Sequence, residues 1–129
     1  MNELITSTKN EYVKMAKSLK SKKSRNEYGA FMVDGTKCVG ELISHMPNLL
    51  KSLIVIEGQH KDIADLAANM KVEVYPVKQH VMNAISDCKT SQGVAAIATY
   101  PSYIIPKSGF ILALDGVADP QNVGTMIRT

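Results

Sequence analysis

Apolar residues recur along the chain with two alternating periods, one helical and one of strand type. Between Asn10 and Lys20, Val13, Ala16 and Leu19 fall on one stripe among lysines, which predicts an amphipathic helix. Ser21 to Gly29 (SKKSRNEYG) shows no period and many polar residues, so it reads as a loop, the most basic in the chain. Ala30–Asp34 (AFMVD) predicts a short buried strand. Gly35 and Thr36 punctuate it, and Lys37 to Met46 continues as a helix that Pro47 stops. The same unit then repeats in kind. Ser52–Glu57 predicts a strand, His60–Met70 a helix with Ile63, Leu66 and Ala67 inward, and Val72–Val77 a strand with Pro76 near its end. Lys78 to Asp87 predicts a further helix and Gly93–Tyr100 a further strand. Short strands alternating with helices predict an α/β protein with layers on a mostly parallel or mixed sheet.

Pro101 to Gly109 (PSYIIPKSG) breaks both periods and is the best linker candidate. The continuous apolar run Phe110–Leu114 (FILAL) after it suits a central parallel strand covered on both faces. Next come the turn DGVADPQ and a helix start, with Asp119 or Asn122 as cap and Pro120 in the first turn. The expected organisation is therefore a domain over residues 1–100, a linker over 101–109, and the opening of a second domain over 110–129. In open α/β sheets, ligands bind beyond the carboxyl ends of the strands, which gives the polar turn and Arg128 a functional reading. On spacing alone, a capped helix with a surface arginine is the commoner arrangement.

Composition narrows the classes. The chain is 45% hydrophobic and 21% charged, as a folded globular protein is, and only five Tyr and two Phe are aromatic. The core must therefore rest on Ile, Leu, Val, Ala and Met. The N-terminus is polar and no apolar run reaches the roughly 20 residues of a membrane span, so a soluble, cytoplasmic protein is expected. Cys38 and Cys88 fit no metal-ligand spacing and sit among apolar residues, which predicts buried free thiols. His45, His60 and His80 are dispersed, so no metal site is expected. Net charge is only +3, but Lys9, Lys14, Lys17, Lys20, Lys22, Lys23 and Arg25 stand against Glu11 alone. That segment is +6 and leaves −3 for the rest. Such a patch attracts polyanions, although a solvated helix face is the commoner meaning of a lysine run. Tyr12 and Tyr28 flank it and have two fates, stacking on unpaired bases or packing on the helix, packing being the more common. Asn83, Ser86, Lys89, Thr90, Ser91 and Gln92 form a polar stretch with no assigned contact.

DGVADPQNVGTMIRT closely resembles the first motif of the SpoU (TrmH-type) RNA 2′-O-ribose methyltransferases of the SPOUT superfamily. It matches at Asp115, Gly116, Asp119, Pro120, Asn122, Gly124, Arg128 and Thr129. ITSTKNEYVK, GAFMVDGTKCVGELI and TSQGVAAIA resemble the same family's N-terminal substrate-binding domain. The resemblance implies a three-layer α/β/α sandwich around a small mixed sheet, like an RNA-binding ribosomal protein. It further implies that 110–129 hold the first strand and helix start of an incomplete SPOUT knot domain. By the same resemblance the parent enzyme methylates ribosomal or transfer RNA with S-adenosylmethionine, in the cytoplasm. Asn122 then organises the site, and Arg128 activates or orients the ribose hydroxyl. A guanidinium stays protonated, so binding a phosphate and stabilising developing alkoxide is the easier role. The implied RNA contacts are Lys14, Lys17, Lys20, Lys22, Lys23 and Arg25. The glycine-rich cofactor loops of the family are missing from the sequence. A truncated chain that neither binds S-adenosylmethionine nor methylates alone is therefore expected. Phe110–Leu114 is expected to lie back on the first domain or pair with another copy. A free-standing RNA-binding module is the alternative. A nucleotide-binding domain ranks last, since no GxGxxG or GxxxxGK[ST] loop is present.

Overall fold

The computed structural model describes residues 2–88, 90–104 and 107–129. Lys89 of the polar stretch, and Ile105 and Pro106 of the predicted linker, lie outside the described residues. Among the described residues, six helices and four strands follow in the order α1 (Glu11–Ser18), α2 (Lys22–Tyr28), β1 (Ala30–Asp34), α3 (Thr36–His45), β2 (Leu50–Ile56), α4 (Lys61–Asn69), β3 (Glu73–Val77), α5 (Gln79–Ile85), β4 (Val94–Thr99) and α6 (Pro120–Arg128). A 3-10 turn, Pro47–Leu49, joins α3 to β2. The sheet order is β1-β4-β2-β3. β2 and β3 are parallel, while β4 runs antiparallel to both β1 and β2, so the sheet is mixed.

Alternation along each strand sorts the core into two halves. Ile54, Ile56, Ala95 and Ile97 face α1 and α5, where Val13, Ala16, Leu19, Val81, Met82 and Ile85 meet them. Leu53, Val55, Ala96 and Ala98 face α3 and α4, against Val39, Leu42, Ala64 and Ala67. The result is the expected three-layer α/β/α sandwich. α4 turns by one position from its predicted face: Ala64 is buried and Leu66 is half-exposed.

Both sheet edges have a physical account. Asn2 N–H donates to the Val74 carbonyl at 2.9 Å and Ile5 N–H to the Pro76 carbonyl at 2.9 Å, so the N-terminal segment covers β3. In a parallel ladder a residue's N–H and C=O point the same way. The amide that Pro76 lacks would therefore face Ile5, and no bond to β2 is lost. β1 is the other edge, and its last residue opens into α3 through Gly35 (φ 93°). A glycine N-cap offers no side chain, and Gln92 supplies one: its Oε1 accepts from Thr36 N–H at 2.9 Å and from Thr36 Oγ1 at 2.8 Å. Replacing Gln92 by Ala removes this borrowed cap, with an expected loss of about 1 kcal/mol in a urea unfolding curve.

Three expectations are corrected. The segment read as a basic loop, Ser21 to Gly29, is the helix α2. Ser21 caps it by accepting from Ser24 N–H, and Gly29 ends it in the left-handed conformation that glycine adopts without strain. No residue of α2 is buried, so it carries no apolar period to read. Phe110–Leu114 joins no sheet, and Phe110, Ile111 and Leu112 are exposed. An apolar run becomes a strand only when a neighbour takes its backbone bonds, and none of the described residues does. Cys38 and Cys88 are free as expected but exposed rather than buried: Cys38 stands on the outward side of α3, and Cys88 lies in the loop after α5. The nearby Asp34 carboxylate pushes the Cys88 thiol above its ordinary range.

Candidate nucleic-acid interface

The basic segment folds into two short helices joined at the elbow Leu19–Lys20–Ser21. The buried stripe Val13, Ala16 and Leu19 orients α1. Lys14 and Lys17, each one position past a stripe residue, consequently emerge exposed on a neighbouring face. Asn10 caps α1 by accepting from Tyr12 and Val13 N–H. Lys22 and Lys23 fill the first turn of α2, which holds no acidic residue. Cations at a helix N-terminus oppose the helix dipole, so these two lysines are placed against local stability.

The six predicted RNA contacts divide into two groups. Lys20 Nζ donates to the Ser86 carbonyl at 2.9 Å and pairs with Asp87 at 3.1 Å. Arg25 Nη1 donates to the Leu19 and Lys20 carbonyls at 3.0 and 2.8 Å, closing the end of α1. Ser86 Oγ and Asp87 N–H in turn donate to Asp34 Oδ2 at 2.5 and 3.1 Å. Lys20 thus fastens the elbow to the loop between α5 and β4, and Arg25 ties α2 back onto the elbow. The other four point outward. Lys14 pairs with the exposed Glu11 at 2.7 Å, a contact that water and salt weaken. Lys17, Lys22 and Lys23 have no acidic partner among the described residues.

The two flanking tyrosines also part. Tyr12 stacks on Tyr75 with ring centroids 3.8 Å apart, and its hydroxyl bonds Ser52 Oγ at 2.7 Å. Tyr28 stays half-exposed at the end of α2. Burial pushes the Tyr12 phenol well above its ordinary 10.0. Tyr75 is pushed up to about 12, by burial and then by its bond to Glu73. A phenol whose folded pKa is raised holds its proton longer when folded than when unfolded. Its stability contribution is therefore complete below the ordinary 10.0 and falls as pH rises beyond it. Urea midpoints followed from neutral to alkaline pH should stay level, then decline above that value, and Tyr12→Phe should make the decline shallower.

At the other end of the chain, Asp119 rather than Asn122 caps α6, accepting from Gln121 N–H, and Pro120 takes the first helical position. Asn122 and Arg128 are both exposed on this helix. Arg128 also lines a groove of about 710 Å³ with Phe31, Lys37, Glu41 and Met46. The structure does not bring Asn122 to that groove. Sequence reasoning missed Gln92 and His60, whose Nε2 lies 2.7 Å from the Gln92 carbonyl; together with Thr36 they tie three loops at the carboxyl ends of β1 and β2. The only sequence signal was the polar stretch before β4. Among the described residues no three of His, Cys, Asp and Glu gather as a metal site, and no helix is long and apolar enough to cross a membrane.

Comparison with known proteins joins this geometry to a family. Residues 10–96 match the MRM3-like substrate binding domain. The chain is 31% identical over 127 residues to the 23S rRNA (guanosine(2553)-2′-O)-methyltransferase RlmP of Bacillus subtilis, covering 97% of this chain and 49% of that protein. An AdoMet-bound rRNA methyltransferase from Sinorhizobium meliloti superposes with a TM-score of 0.66 at 25% identity, over 78% of this chain and 38% of the other. An RNA 2′-O ribose methyltransferase structure superposes with a TM-score of 0.74 over 98% of this chain and 50% of the other; at 21% identity it speaks to the fold alone. The chain thus spans about half the length of the relatives it matches. On the match across residues 10–96, it belongs to the MRM3-like substrate binding domain family.

Proposed function

We propose that this chain is the RNA-recognition part of a cytoplasmic, S-adenosylmethionine-dependent 2′-O-ribose methyltransferase acting on ribosomal or transfer RNA. The observation that carries this reading is the set of outward lysines, Lys14, Lys17, Lys22 and Lys23, on a domain of substrate-binding type. Residues 1–100 recognise RNA, 101–109 link, and 110–129 begin the methyltransferase domain. Lys20 and Arg25 act on RNA mainly by holding the elbow on which the other cations stand.

Asn122 and Arg128 belong to the catalytic centre in this reading. Methyl transfer requires the ribose hydroxyl to lose its proton as the methyl group arrives. Arg128 remains charged, so it holds a neighbouring phosphate and stabilises the oxygen as negative charge develops there. Asn122, one and two-thirds turns earlier on α6, organises the same site through its amide. The exposed run Phe110–Leu114 additionally favours self-association of this chain at high concentration.

Titrating a fluorescent rRNA fragment with the protein at several salt concentrations tests the binding reading. Four lysine–phosphate contacts to a helical RNA predict a slope of log K on log salt of about −3.6. A slope near zero, or no binding at low salt, would remove RNA as the partner of this face.

A further inference from the structure

We infer that this face takes the phosphate backbone of a double-helical stretch of RNA rather than an unpaired strand. The inference rests on the proposed function and deepens it by naming the form of RNA. Unpaired RNA is recognised by splaying its bases onto aromatic rings or guanidinium planes, whereas a duplex is gripped through its backbone. The planes of this segment are largely withdrawn. Tyr12 is stacked on Tyr75 inside the domain, with its hydroxyl held by Ser52. The Arg25 guanidinium is pinned by the carbonyls of Leu19 and Lys20, so it cannot swing out to follow a splayed base. Only Tyr28 is left, half-exposed and at the far end of α2 from Lys22 and Lys23. A single ring offers no platform for successive bases.

What remains outward is ammonium: Lys14 and Lys17 on α1, Lys22 and Lys23 on α2. A lysine head is a compact point charge that meets a phosphate from any direction and reads no base. The two pairs are not free to wander. Lys20 and Arg25 fix the elbow between their helices, and the buried stripe Val13, Ala16 and Leu19 fixes α1 on the sheet. Two cationic clusters carried on fixed helices suit phosphates that are themselves held in place, as on the two strands of a stem. A flexible single strand would have to lose its own conformational freedom to meet them.

Two labelled RNAs of equal nucleotide count decide the matter, one a perfectly paired hairpin and the other an unstructured pyrimidine-rich strand. Each is titrated with the 129-residue protein and with Tyr28→Ala. Counterion release per contact is larger on a duplex, so four contacts favour the hairpin by about six-fold at 0.1 M salt. Tyr28→Ala should leave both affinities within about two-fold of the parent, because no base stacks on that ring. Equal or tighter binding of the single strand overturns the inference. So does a loss of about ten-fold or more for Tyr28→Ala on either RNA, the size expected when a stacked base loses its ring. Absence of binding to both RNAs would instead defeat the proposed function, and the choice of duplex with it.

Discussion

Replacing Lys14, Lys17, Lys22 and Lys23 together by glutamine should lower affinity for helical RNA by about 10³-fold near physiological salt and remove most of its salt dependence. Each lysine that neutralises a phosphate adds about 0.9 to the salt exponent, so losing four flattens the slope by about 3.6. Glutamine is close to lysine in length and in helix propensity, which leaves α1 and α2 their backbone preference. The dipole argument adds a control. Lys22 and Lys23 oppose the N-terminus of α2, so neutralising them should leave the protein as stable as the parent or slightly more so. A loss of binding without a loss of stability can then be assigned to the contacts. The companion pair Lys20→Gln with Arg25→Ala should behave in the opposite way. It unfastens the elbow from Ser86, Asp87 and the end of α1, so its main effect is a lower unfolding midpoint. A change of less than one in the salt slope for the fourfold variant would show that RNA docks elsewhere.

This division of the cations marks the limit of what the chain's pattern discloses. α1 was legible because Val13, Ala16 and Leu19 repeat every three residues and bury themselves as that spacing demands. The four strands were legible because their alternating apolar residues fill both faces of the sheet. α2 was hidden because its stability comes from two end caps, Ser21 and Gly29, and from no buried face. Periodicity cannot report a helix that buries nothing. Similarly, nothing in the order of residues says that Lys20 reaches a carbonyl 66 positions away while Lys17 reaches solvent. The end points of long side chains are decided by tertiary packing. Gln92 was hidden for the same reason: its partner Thr36 lies in another loop, 56 positions earlier. The strand expected at Phe110–Leu114 failed for a different cause. Its apolar pattern is real, but a strand is a property of a pair, and the described residues supply no partner.

The reading of α6 is settled by separating binding from chemistry. In the full-length methyltransferase that residues 1–129 are proposed to open, Arg128→Ala should lower the methylation rate by about 10²–10³-fold, the usual cost of removing one preorganised donor from a developing oxyanion. RNA affinity should fall by no more than about six-fold, the cost of one phosphate contact, because the four lysines stand on other helices and are untouched. Arg128→Lys discriminates further. A lysine keeps the charge but lacks the planar fork that grips two oxygens at once, so it should restore only part of the rate. Raising the pH should not rescue Arg128→Ala, since the guanidinium contributes charge and geometry rather than a proton-accepting group. Asn122→Ala, which removes no phosphate contact, should reduce the rate and leave binding within about two-fold. If Arg128→Ala instead weakened RNA binding as much as the fourfold lysine variant, its groove beside Lys37 would be part of the docking surface. The arginine would then belong to recognition, and α6 would have no claim to the chemistry.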